Sequence, residues 1–129
     1  MDFQDTKIIT IKDFDNEITF KIKLFGAIEG VYFLSNNVNA FFTNKLTLID
    51  LLGDLLKLAC PIEKNTKQSL IGDNLFDLQQ AGAILKNPLS IIDLGIQILE
   101  FQKVFMNGLD KYQAYFGRVK EMLNIKTSV

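Results

Sequence analysis

The fold is decided by the stretch ITIKDFDNEITFKIKL at residues 9–24. Ile9 and Ile11 alternate with polar residues before the short run Asp13–Asn16, and the same alternation resumes after it at Ile18, Phe20, Ile22 and Leu24. A period of two places the apolar side chains on one face of a strand, and Asp15-Asn16 tolerates the left-handed backbone of a tight turn. The pattern predicts an antiparallel β-hairpin over residues 1–25. Its apolar face must pack on the rest of the chain, because an isolated hairpin is marginal in water.

After Gly26 the apolar period becomes helical, with matches at Ile28, Val31, Tyr32, Ser35, Val38, Phe41 and Phe42. We predict helices 1 and 2 over residues 27–60, the second capped by Thr47 and ended at about Cys60 by Pro61. Residues 61–74 are polar and aperiodic, which predicts a loop, and residues 75–124 are predicted to hold the C-terminal helices. The predicted fold class is α+β and mostly helical: an N-terminal antiparallel β-hairpin followed by four or five helices in a single domain, residues 1–129.

The most informative of these helices is the fourth, predicted from Pro88 to about Asn107. Its polar residues form one stripe, which comprises Ser90, Asp93, Gln97, Glu100, Lys103 and Asn107. The remaining apolar arc is wider than a one-sided surface helix needs. We therefore predict that this helix is central or packed on two sides, with Ile98, Phe101 and Phe105 in the core.

Composition excludes several function classes. The 129 residues are 48% hydrophobic and 22% charged, which suits one domain with a substantial core. The chain has no His and one Cys, so Ser-His-Asp and Cys-His nucleophiles, His metal sites and an internal disulfide are excluded. A net charge of −1 offers no electrostatic attraction for nucleic acid. We predict a protein that is not an enzyme, with no catalytic, cofactor-binding or metal residues and no cofactor.

Several local patterns resemble functional motifs: the carboxylate pairs Asp50/Asp54 and Asp93/Glu100, the acidic run Asp13, Asp15 and Glu17, the corner Gly26–Gly30, and the lone Cys60. Each has a simpler structural interpretation. The pairs lie on predicted solvent-facing stripes, and the acidic run lacks the Gly and the bidentate Glu of a calcium loop. The corner lacks a complete phosphate-binding motif, and the Cys has no basic neighbour before it in the sequence.

The targeting features predict a cytoplasmic protein. The first residues are acidic and lack the apolar core of a signal peptide, and charged residues interrupt the apolar stretch 85–106, so no membrane association is expected. The mean hydropathy of +0.16 is high for a small protein of this class. Two explanations stay open: apolar surface buried against a partner or a second copy, or a core rich in Phe and Leu.

The order of segments carries a resemblance. A hairpin leads into LFGAIEGVYFL at residues 24–34, then come leucine-rich helices, a polar loop and the apolar helix ending ILEFQKVFM at residues 98–106. This order, from about Lys7 to Phe116, resembles the tail assembly chaperones of long-tailed bacteriophages and of prophage-derived tail-like particles. The chain departs from the acidic, alanine-rich composition of many members, since it is rich in Lys, Asn and Ile.

The resemblance implies a role in viral morphogenesis. Such a protein coats the long helical tape-measure protein, helps recruit tail-tube subunits and leaves before the tail matures. Self-association is then expected as head-to-tail rings or short stacks rather than as a closed two-fold dimer. The alternatives are a small structural head-tail or tail connector, which should contain more β-structure, and a secretion-system chaperone or adaptor, which shares the same physics. A small enzyme or ligand carrier would need a converging polar cluster.

Overall fold

The computed structural model of this protein describes residues 6–26, 28, 31–33, 35–36, 47–106 and 121, with the backbone alone for residues 103–106. Sequence predictions at the other positions lie outside the described residues. These include the first residues of the hairpin, most of the first helix, the side chain of Phe105 and the last helix beyond Gly108.

The predicted hairpin is confirmed. Strand β1 spans Thr6–Asp13 and strand β2 spans Asn16–Lys23, paired antiparallel with Asp13 opposite Asn16. The turn is therefore the two residues Phe14 and Asp15. Phe14, with a φ of 55°, carries the left-handed backbone that the sequence analysis assigned to Asp15-Asn16. Phe14 is also largely exposed, so its side chain at this strained position does not pack in the core.

A third strand corrects the prediction for residues 57–62. Strand β3 spans Ala59–Ile62 and pairs antiparallel with β2, with Pro61 opposite Phe20, so the sheet order is β1-β2-β3. The predicted second helix included Ala59 and Cys60, and the predicted loop began at Pro61. A four-residue apolar run has no period that separates a strand from a helix end, and proline is tolerated in a strand at the sheet edge.

Three helices have both ends within the described residues. Helix α1 spans Leu48–Leu56, α2 spans Leu78–Ile84 and α3 spans Pro88–Met106. The Thr47 cap is confirmed, since its side chain accepts the backbone N–H of Asp50 at 3.2 Å. Helix α2 starts three residues later than predicted because Asp77, in extended conformation, caps it by accepting the N–H of Gln80. The fold is α+β, while the predicted number of four or five helices extends beyond the described part of the chain.

The core lies between the inner face of the sheet and the helices. Its large fully buried side chains come from the hairpin, from α1, from α3 and from the residues that flank α2: Ile11, Phe20, Ile22, Leu51, Leu55, Leu56, Phe76, Leu85, Leu94, Ile98 and Leu99. Helix α3 packs on α1 and on the sheet, as its wide apolar arc predicts. Ile98 is in the core as predicted, but Phe101 is only partly buried at its margin.

Polar side chains fasten both ends of α3 to the hairpin. Near the turn, the buried Ser90 hydroxyl donates to the carbonyl of Lys12 at 3.0 Å. At the open end, the fully buried Gln102 accepts the N–H of Phe25 at 3.0 Å and donates to the carbonyl of Lys23 at 2.9 Å. The predicted polar stripe of this helix is therefore solvent-facing at Asp93 but buried at Ser90.

Candidate interaction surface

The most exposed apolar surface near the start of the helical region comes from three residues. Ile28, Val31 and Tyr32 have helical backbone and are 73%, 66% and 66% exposed. Their spacing of three and four positions places them on one side of a helical turn. We call Ile28, Val31 and Tyr32 the apolar patch. This spacing predicts a helical apolar face, and its three described apolar members are exposed.

The neighbouring Phe33 explains why the patch faces outward. Phe33 is buried in the core cluster, and its ring lies 4.6 Å from that of Phe25, between centroids. Phe33 thus anchors this helical segment to the end of the hairpin. The period alone did not identify Phe33 as the anchor, because the segment carries apolar residues on more than one side.

A shallow depression lies next to the patch. It has a volume of about 210 Å³, and Tyr32 belongs both to its wall and to the patch. Its apolar lining comes from Phe25, Phe33 and Leu58, and Asp54 and Lys57 stand at its polar side, 3.8 Å apart. An apolar strip beside a depression with a charged margin is the arrangement that receives the apolar face of an amphipathic helix.

A second depression, of about 320 Å³, lies beside β3. It is lined by residues of the sheet, of the α1–β3 connection and of the segment before α2, including Lys21, Lys23, Lys57, Cys60 and Leu75. Three lysines make this depression basic, whereas the first has one carboxylate and one ammonium group. Lys57 and Leu58 separate the two depressions, so they share one wall.

Two of the carboxylates that the sequence suggested as pairs have other partners in the structure. Asp54 lies 3.8 Å from Lys57, and Asp50 is exposed in the first turn of α1. Asp93 accepts a hydrogen bond from Gln97 at 3.3 Å, one turn later on α3. Within the described residues, no group of three or more Cys, Asp or Glu side chains is placed to hold a metal ion.

Asp13, considered above as part of an acidic run, has a structural role. Its buried carboxylate accepts the N–H of Lys86 at 2.8 Å and of Asn87 at 2.9 Å, just before α3. These backbone donors, with that of Lys86 contributing most, hold the pKa of Asp13 below its ordinary value, although burial acts in the opposite direction. Asp15 and Glu17 remain exposed and do not join it.

Cys60 and the polar segment after it are tied together. The Cys60 thiol donates to the hydroxyl of Ser69 at 3.3 Å. Glu63 accepts the N–H groups of Asn65 and Thr66, and the Thr66 donor is the main cause of its lowered pKa. The predicted loop 61–74 therefore begins with two strand residues and continues as a hydrogen-bonded turn. Of the corner Gly26–Gly30, Gly26 and Ile28 are described, and the other three positions lie outside the described residues.

Comparison with known proteins found no matching family model, curated protein or solved structure. In the described part of the chain, no helix is both long enough and apolar enough to cross a membrane.

Proposed function

We propose that this chain is a non-catalytic tail assembly chaperone, of a long-tailed phage or a prophage-derived tail-like particle, that acts in the host cytoplasm. It binds the tape-measure protein, helps recruit tail-tube subunits and self-associates. The observation that supports this proposal is the apolar patch, three large apolar side chains at least 66% exposed beside an apolar depression. The resemblance at residues 24–34 covers the same segment.

The binding mode follows from the shape of this surface. A tape-measure helix would lay its apolar stripe along the patch and insert one side chain between Phe25, Phe33 and Leu58. The Asp54–Lys57 pair at the margin would contact polar residues flanking that stripe. Such an interface is mainly apolar, so the affinity should change little between low and high salt.

The test is titration of the protein with a tape-measure helical fragment. Val31→Glu places a charge in the middle of the patch and should weaken binding at least about tenfold, the effect of losing one well-buried interface contact. Ile49→Glu is the matched control, since Ile49 is helical, 69% exposed and outside the patch and its depression. Wild-type protein that ignores the fragment, or equal losses in both variants, would reject the proposal.

One finding favours the connector as a second candidate. A structural head-tail or tail connector should contain more β-structure than one hairpin, and β3 extends the hairpin to a three-stranded sheet. A connector stays in the mature particle, whereas a chaperone leaves before the tail matures. Mass spectrometry of purified mature particles should find a connector at fixed stoichiometry and should not find a chaperone.

A further inference from the structure

The two edges of the sheet differ. At the β3 edge, Pro61 has no N–H to donate, and its carbonyl accepts the N–H of Leu70 at 2.9 Å. The N–H of Glu63 donates to the carbonyl of Gln68 at 2.8 Å, so residues 68–70 cover this edge. The β3 edge is therefore closed to a further strand.

The β1 edge is open. The N–H of Lys23 donates to the carbonyl of Leu58, on the β3 side, so the backbone groups of its partner Thr6 point the other way. By the two-residue alternation, those of Ile8, Thr10 and Lys12 also point outward. At Lys12 the carbonyl accepts from Ser90, but among the described residues nothing bonds the outward groups of Ile8 and Thr10. The side chain of Ile8 is 46% exposed beside them.

We propose that β1 pairs antiparallel with β1 of a second copy, forming a two-fold dimer with a continuous six-stranded sheet. One register pairs the unbonded outward groups: Ile8 faces Thr10 of the other copy and Ile9 faces Ile9. Thr6 then faces Lys12, whose carbonyl already accepts from Ser90. Two lysines directly opposite each other would destabilise the pairing. In this register Lys7 faces Ile11, so no such pair is formed. The edge can thus pair with itself through its backbone groups, with apolar contact at Ile9 and without two lysines opposite each other.

The closed β3 edge determines the symmetry. A stack of sheets needs two open edges per copy, and the described sheet has one. Edge pairing consequently stops at two copies, in an isologous contact. This departs from the head-to-tail assembly predicted from the sequence, because β3 and the covering residues 68–70 were not predicted. The inference specifies the self-association named in the proposed function, but it uses neither the patch nor a tape-measure partner, so loss of the dimer and loss of fragment binding are separate outcomes.

Light scattering over a range of protein concentrations tests the dimer. The wild type should reach twice the monomer mass of 14.6 kDa. Ile8→Pro removes one outward N–H and leaves the β1–β2 ladder intact, so it should stay at the monomer mass. Ile8→Val, which keeps the N–H, should dimerise. A monomeric wild type, or an Ile8→Pro variant that folds and still dimerises, would overturn the proposal.

Disulfide trapping tests the register and does not depend on how Ile8→Pro folds. In a Cys60→Ser background, Ile8→Cys and Thr10→Cys are made as separate proteins. Facing residues of a hydrogen-bonded antiparallel pair lie about 5.5 Å apart between Cα atoms, within disulfide reach. The mixture should give a crosslinked heterodimer well above the level in either protein alone. Crosslinking of either protein alone at an equal or greater level, or absence of crosslinking in the mixture, would overturn the register.

Discussion

At the residue scale, Gln102 shows how one polar side chain can fix an apolar helix. It lies among apolar neighbours and also donates to the carbonyl of Ile98 one turn earlier. Since most of α3 is apolar around its circumference, apolar burial alone does not select one rotation of the helix about its axis. The bonds of Gln102 to Phe25 and Lys23 select one. The polar stripe identified from the sequence did not include Gln102, because nothing local distinguishes a buried amide from a solvated one.

We expect Gln102→Leu to destabilise the protein although it adds apolar bulk. The part-buried N–H of Phe25 and carbonyl of Lys23 would each lose the bond to Gln102, at a total cost of about 1–3 kcal/mol. Chemical denaturation measures the effect. Gln97→Leu is the control, since Gln97 is half-buried on the same helix and bonds to the exposed Asp93, and its expected change is within about 0.5 kcal/mol. Equal stability of Gln102→Leu and wild type would refute this role.

Asp13 predicts a particular pH dependence. Its pKa is lowered in the folded protein from the ordinary value of 3.8, so the unfolded state binds the proton more tightly. Its contribution to stability is therefore complete above pH values near the ordinary pKa and is lost as the pH falls through the lowered one. Asp13→Asn should be less stable than wild type at pH 7, and the two unfolding midpoints should converge as the pH falls below the ordinary pKa of the carboxyl group.

The matched control for that experiment is Asp15→Asn, two residues away and exposed at the turn. Its unfolding midpoint should follow that of the wild type throughout the pH series. Glu63, whose pKa is also lowered, contributes acid sensitivity that is common to all three proteins. A gap between wild type and Asp13→Asn that stays constant with pH would contradict the assignment.

At the element scale, the close approach of α1 and α3 depends on Gly95. A Cβ built on Gly95 would lie 2.5 Å from Cδ2 of Leu52, a buried residue of α1. Gly95→Ala should destabilise by about 1–3 kcal/mol, the usual cost of overpacking, less the gain in helix propensity. Gly82→Ala, exposed on α2 with no atom near the added Cβ, should stabilise by about 0.5–1 kcal/mol. Thermal unfolding that moves both variants in the same direction would refute the contact.

The hairpin and α3 could be predicted from local sequence patterns, whereas β3 could not. The hairpin was predictable because its period of two persists over two strands of eight residues, and α3 was predictable because Asn87-Pro88 marks its start. Strand β3 was not, because its four residues become a strand only by pairing with β2, an interaction with residues about 40 positions earlier. For the candidate surface, the spacing identified Ile28, Val31 and Tyr32, but their exposure depends on the long-range burial of Phe33.

At the scale of the whole molecule, the core has a centre and a margin along α3. Ile98 is fully buried, while Phe101 packs on the cluster from its edge. Ile98→Ala should therefore lower the free energy of unfolding by about 2–5 kcal/mol. Phe101→Ala should lower it by less than a fully buried Phe would, for which the loss is about 3–5 kcal/mol. Equilibrium denaturation of both variants gives the comparison. A larger loss for Phe101→Ala than for Ile98→Ala would show that the centre of the core lies further along the helix.

The hydrogen bonds between α3 and the hairpin can form only late in synthesis. Its hydrogen bonds join residues 73–79 positions apart, from Asp13–Lys86 to Lys23–Gln102. At about 5–20 residues per second, the ribosome finishes the hairpin some 4–16 seconds before it delivers the helix that covers it. Throughout that interval the nascent chain displays the apolar side of its first two strands and an open strand edge. The incomplete chain is therefore most prone to aggregation during translation, before α3 is available to cover the hairpin.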